Sequence, residues 1–112
     1  MNENNESRRA KRVPVKPPIA AENAISGEKL GLVGNISSSG LMLICPRALR
    51  DNAIYQIRLS MPENNGIQAF TLDIGIHEQW TQPAPDSNNY WSGTRIIDIS
   101  PKAETQLLEW LG

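Results

Sequence analysis

The sequence is short of the residues that most chemistry relies on: its 112 residues include one cysteine and one histidine. A lone cysteine closes no disulfide within the chain, and Cys45, set in the apolar run LMLIC, reads as core filler rather than a nucleophile. His77 has no second histidine and no cysteine cluster beside it, so metal ligation lacks a ligand set; it reads as a solvated residue on the polar face of a strand. Catalysis needs a nucleophile, a base and an orienting group to converge. With the carboxylates scattered along the chain and no Gly-rich phosphate loop of the nucleoside triphosphate or dinucleotide kind, the expectation is a protein that is not an enzyme and carries no metal or cofactor.

Long apolar runs are missing too. The longest, Leu41 to Cys45, is far too short to cross a bilayer, and MNENNESRRAKR holds no apolar segment resembling a signal peptide. The expectation is a cytoplasmic protein with no membrane insertion. Excess positive charge is also lacking: 11 basic against 12 acidic residues give a net charge of −1. A general nucleic-acid binder needs a cationic surplus to displace counterions from phosphates, so no nucleic acid is expected as a partner.

What is present is an ordinary globular composition, 39% hydrophobic and 21% charged, enough for one domain with a modest core. The charge is unevenly placed. Five of the 11 basic residues, Arg8, Arg9, Lys11, Arg12 and Lys16, form a locally cationic arm with no acidic residue among them. Residues 1–7 before it are Asn- and Glu-rich and read as a flexible tail. Prolines at 14, 17 and 18 then keep the chain extended and remove amide donors, which fits a connector or an edge strand.

From Ile19 onward, short apolar runs alternate with turn residues, the pattern of an all-β barrel or sandwich. Leu30 to Ile36 and Leu41 to Ile44 form a pair joined through SSSG. Ala53 to Met61 has period two at Ile57, Leu59 and Met61. PENNG at 62–66 is a turn signal, after which Phe70, Leu72, Ile74 and Ile76 alternate with Thr71, Asp73, Gly75 and His77. QPAPDSNN at 82–89 is a second turn, and Tyr90 to Ile99 a last strand. The period then changes: Ser100 suits an N-cap, Pro101 the first helical position, and Ala103, Leu107, Trp110 and Leu111 recur at helical spacing. The expected architecture is six or so antiparallel strands followed by one packed helix. In domain terms this is a tail over 1–7 and a single domain over 8–112, divided into a basic arm and connector (8–18), a β-barrel (19–99) and a C-terminal helix (100–111).

Two motifs in this frame bear on function. RRAKR places Arg8 and Arg12 four apart just before the first strand, and NISSSG places Asn35, Ser37 and Gly40 between two strands. Taken singly they pass as a solvated basic tail and a hairpin turn in which Asn caps and Gly takes positive φ. Taken in order, arginine, three residues, arginine, then Asp or Asn, any residue, Ser, two residues, Gly, the chain resembles the PilZ domain, a bacterial receptor module for cyclic di-GMP. The ending YWSGTRIIDISPKAETQLLEWL is similar to that family's last strand, with a glycine at Gly93, leading into a helix.

The resemblance implies a small six-stranded antiparallel PilZ-type β-barrel with a C-terminal helix, with cyclic di-GMP as its ligand and no cofactor. It also implies signal transduction through a protein effector of motility, adhesion, exopolysaccharide or virulence machinery. The ligand-binding set it implies is Arg8, Arg12, Asn35, Ser37 and Gly40, with Arg9 as a further contact. Arginine pairs bidentately with guanine O6 and N7, stacks on its face or binds phosphate. Asn35 offers an amide to a guanine's polar edge, Ser37 a hydroxyl, and Gly40 a close backbone approach. Two rivals stand beside this reading. One is a single-stranded nucleic-acid module of the oligonucleotide-binding type, which needs exposed aromatics, with Trp80, Tyr90 and Trp91 near a turn and Trp110 on the helix. The other is an assembly protein that keeps the fold and does not bind the ligand.

Overall fold

The structure, a computed structural model, describes residues 13–85 and 87–112, the first five of them through the backbone alone. Six strands, β1 Val13–Asn23, β2 Lys29–Ile36, β3 Gly40–Cys45, β4 Ile54–Met61, β5 Phe70–Pro83 and β6 Tyr90–Asp98, precede one helix, α1 Pro101–Leu111. All pairings are antiparallel, and the sheet closes in the order β1-β2-β3-β6-β5-β4, with β4 returning to β1. The closed six-stranded barrel with a C-terminal helix is the fold the family resemblance implies, and it decides between the barrel and the sandwich that the strand pattern alone leaves open.

The core follows from alternation. Ile57, Leu59 and Met61 of β4 stand opposite Ile74, Leu72 and Phe70 of β5, so their apolar side chains share the inner face. Val33, Ile36, Leu41, Leu43 and Ile76 join them, all essentially excluded from solvent. Each such side chain contributes ~1.5–3 kcal/mol on burial. The turn that sets this register is short: Asn64 and Ile67 exchange backbone hydrogen bonds (3.0 and 2.8 Å) around Asn65 and Gly66, both at positive φ (50° and 77°). That is the conformation a two-residue Asn-Gly hairpin turn requires.

Two strands differ from their sequence-based reading. β1 begins at Val13, inside the proline-bearing run, and pairs on both edges. The prolines are accommodated by a bulge: the register passes from Pro14↔Asn35 to Ile19↔Val33, so residues 15–18 stand opposite Gly34 alone. Pro17 and Pro18, which cannot donate to a ladder, fall where the ladder is interrupted. β5 continues past Ile76 to Pro83. Its inward position after Ile76 is Glu78, 3% exposed, whose carboxylate accepts from Asn52 N (2.8 Å) and Thr81 Oγ1 (2.7 Å). A polar residue at an inward position breaks the apolar alternation that a sequence reading depends on.

Helix α1 is capped as its sequence suggests, Ser100 Oγ accepting from Ala103 N (3.1 Å) with Pro101 in the first turn. Its buried residues are Leu107 and Trp110. Trp110 ties it to the β4–β5 hairpin: Nε1 donates to Pro62 O (2.6 Å), while Trp110 O accepts from Asn64 Nδ2 (2.7 Å) and Asn65 Nδ2 (2.9 Å). No helix among the described residues is long and apolar enough to cross a membrane.

Candidate functional site

The NISSSG turn sits at the rim of the barrel between β2 and β3, and its shape comes from one side chain. Ser37 is completely buried. Its Oγ accepts from Ser39 N and Gly40 N (3.2 Å each) and donates to Gly40 O (3.2 Å), while Ser37 N donates to the same carbonyl (2.8 Å). A serine hydroxyl that satisfies two backbone amides locks a tight turn. The turn is also pinned to β6 by Ile96 N donating to Ser39 O (2.8 Å). Ser37 thus fixes the wall of the site from inside.

Gly40 opens β3 opposite Arg95, and a Cβ there would collide with the Thr94 carbonyl. The glycine is required by the approach of β3 to β6. Asn35 is half-buried and paired with Met42, while Ile36 and Leu41, one step along, are in the core. Paired residues share a face and successive residues alternate, so Asn35 and Met42 belong to the outer face.

Arg8, Arg9 and Arg12 lie outside the described residues. What is fixed is where their arm attaches: Val13 pairs with Ile36 and Pro14 with Asn35. Arg12 is one peptide bond from Val13, about 3.8 Å between Cα atoms. The topology therefore roots the basic arm beside the NISSSG turn, two segments that lie more than 20 residues apart in the sequence.

The remaining reactive groups are elsewhere. Cys45 is buried, and desolvation pushes its thiol up to about 11, against the downward pull of a hydrogen bond with Ser92. His77 lies on the outer face but is partly covered: Nε2 donates to Asn52 Oδ1 (2.6 Å), leaving Nδ1 to accept from Gln79 Nε2 (2.9 Å). It is thus more engaged than the solvated residue the sequence suggests. No group of three or more His, Cys, Asp or Glu that could hold a metal ion occurs among the described residues. A cleft of about 750 Å³ at the opposite end of β2 and β3, lined by Lys29, Arg47, Arg50 and Tyr55 among others, shares no residue with the turn.

The family model for the PilZ domain matches residues 6–112. The chain belongs to the PilZ domain family. Solved structures agree on the fold. The Bacillus subtilis inhibitor of motility MotI/DgrA superposes with a TM-score of 0.73 at 13% identity, over 92% of this chain and 48% of that one. Escherichia coli YcgR in complex with c-di-GMP gives 0.67 at 19% identity, over 93% and 44%. The PilZ domain of Escherichia coli YcgR with c-di-GMP gives 0.57 at 20% identity, over 91% and 86%. The chain thus spans about half the length of the MotI/DgrA chain and of the longer YcgR chain. A comparison with curated protein sequences found no match. In this PilZ domain, Arg95, an outer-face residue opposite Gly40 of the turn, carries no motif signal in the sequence.

Proposed function

We propose that this PilZ domain is a receptor for cyclic di-GMP, without catalytic activity, that passes the signal on through its N-terminal arginine arm. The observation that carries the reading is the pairing of Val13 and Pro14 with Ile36 and Asn35, which roots the arm holding Arg8, Arg9 and Arg12 beside the Ser37-locked turn. A rigid wall and a cationic arm at one rim suit a ligand with two phosphates and two guanines. Arg8 and Arg12 bind guanine edges or phosphate, Arg9 adds a further contact, and Asn35 meets a guanine edge from the outer face. Ser37 and Gly40 act through the turn backbone they hold. Family membership and c-di-GMP in the YcgR structures support the same ligand. The arm orders over the turn when ligand binds, and a protein effector reads its bound position.

Calorimetric titration tests this. Cyclic di-GMP should bind with measurable heat and raise the thermal midpoint, because a ligand that binds only the folded state stabilises it. GMP should do so far less. Single-stranded RNA giving heat where cyclic di-GMP gives none would replace this reading with the nucleic-acid one.

A further inference from the structure

We propose that the end of the barrel away from the NISSSG turn is a docking site for a protein partner, which lays an acidic segment with interleaved apolar side chains into the cationic cleft beside Lys29, Arg47 and Arg50. The inference goes beyond the receptor reading and does not rest on it, because no residue lining the cleft belongs to the turn or to the arm.

The strand directions set the place. β1 ends, β2 begins, β3 ends and β4 begins at one end of the barrel, so the β1–β2 turn and the β3–β4 loop, residues 46–53, lie together there. Along β2, Lys29 and Ile36 are separated by about 23 Å. The loop has no regular structure, yet it is held at several points. Leu49 is buried in the core, Arg50 N donates to Tyr55 Oη (3.0 Å), Asn52 N donates to the buried Glu78 carboxylate (2.8 Å), and Glu78 N donates to Ala53 O (2.9 Å). Arg47 and Arg50 therefore stand on a fixed backbone around a buried leucine. A partner that binds them has little loop ordering to offset.

The charges there are uncompensated. Lys29, Arg47 and Arg50 are exposed and make no ion pair among the described residues, whereas Arg58, also exposed, is matched to Asp73 (2.8 Å). Against these three cations the lining of the cleft holds one carboxylate, Glu28; Asp51 lines a separate, smaller cleft with Glu78. The same end is also apolar. Leu30 and Leu49 line the cleft, and Ile25 and Ile54, 84% and 62% exposed, are the two most exposed large apolar side chains among the described residues.

Those features choose the occupant. A phosphate polyanion is favoured by unbroken positive charge, but this lining includes a carboxylate and the whole chain carries a net charge of −1. Guanidinium groups pair with carboxylates in a bidentate fork, and exposed isoleucines gain by covering other apolar side chains. A segment that alternates carboxylates with apolar residues satisfies both, and a cleft of about 750 Å³ has room for several of its side chains.

Titrating the isotope-labelled full chain with a peptide of Glu-Leu-Asp repeats, followed through backbone amide chemical shifts, tests the proposal. The shifts should saturate and concentrate in residues 28–30 and 46–55, and a peptide of Lys-Leu-Lys repeats should produce none there. The double variant Arg47→Glu/Arg50→Glu should bind the acidic peptide roughly tenfold or more weakly, with an unchanged thermal midpoint because both side chains are exposed. Lys29→Glu, on a different element, should weaken binding in the same direction and keeps the test open if the double variant melts early. Amides at 28–30 and 46–55 that do not move at saturating acidic peptide, or shifts that survive the charge reversals, overturn the docking site. A peptide of Glu-Ser-Asp repeats that binds as tightly as the leucine one reduces the site to bare charge and overturns it too. Single-stranded RNA that displaces the acidic peptide from the same amides replaces the protein partner with a nucleic acid.

Discussion

At the scale of single residues, the most informative side chain is Ser37, because its hydroxyl is a structural part. With the residue fully buried, Ser37→Ala leaves Ser39 N and Gly40 N without their acceptor. Gly40 N lies in a buried bond and Ser39 N in a partly buried one, and an unsatisfied buried donor costs about 1–3 kcal/mol, so the free protein's thermal midpoint should fall by roughly 5–15 °C in a scan without ligand. An unchanged midpoint would mean that the turn holds itself without the hydroxyl. Cys45 gives a second expectation. Its folded thiol, raised to about 11 by burial, binds its proton more tightly than the unfolded thiol, whose ordinary value is 9.0. The stability this contributes is complete below pH 9 and is lost as pH rises toward 11. Thermal melts should therefore fall off more steeply over that window in wild type than in Cys45→Ala. Only the residue types of these sites are legible in the sequence. That NISSSG holds a serine is plain; that the hydroxyl turns inward depends on β6 closing over the turn through Ile96.

At the scale of elements, the arm and β1 form one continuous segment. β1 pairs with β4 only over Ala21 to Asn23, so its start at Val13, where the arm attaches, is held by β2 alone. If the arm closes over the turn through specific arginine contacts, Arg12→Ala should abolish most cyclic di-GMP binding while Lys11→Ala has a small effect. Neither should move the midpoint of the free protein much, and titration of the two variants side by side decides it. Equal losses would mean that the arm contributes charge alone. The strands show how far pattern carries. β4 and the first half of β5 are readable because apolar residues alternate there, and the Asn-Gly turn between them is readable from its chemistry. The second half of β5 is hidden because Glu78 and Thr81 point inward and satisfy each other and Ser92 by hydrogen bonds. β1 is disguised by its prolines, which the bulge opposite Gly34 absorbs.

At the scale of the whole molecule, closure is what turns a set of hairpins into a receptor-like surface. In an open sheet β1 would be an edge; in the barrel β4 closes on its far end, while the pairing of Val13 and Pro14 with β2 sets the root of the arginine arm at the rim formed by the Ser37 turn. The strand order β2-β3-β6-β5 aligns Asn35, Met42, Gly93 and Trp80, four residues spread over more than 40 positions, in a single outer row. The sequence by itself determined what local chemistry can encode: the inward residues of β4 and early β5, the Asn-Gly turn, the Ser100 and Pro101 start of the helix, and the two motifs that mark a PilZ domain. Each rests on residues a few positions apart, where periodicity and turn preference act. The tertiary structure alone decided which strands meet across long separations, where the register slips, which polar side chains are buried with partners, and which tryptophan stays open to solvent. Those outcomes depend on contacts between residues far apart in the chain, and no local preference specifies them.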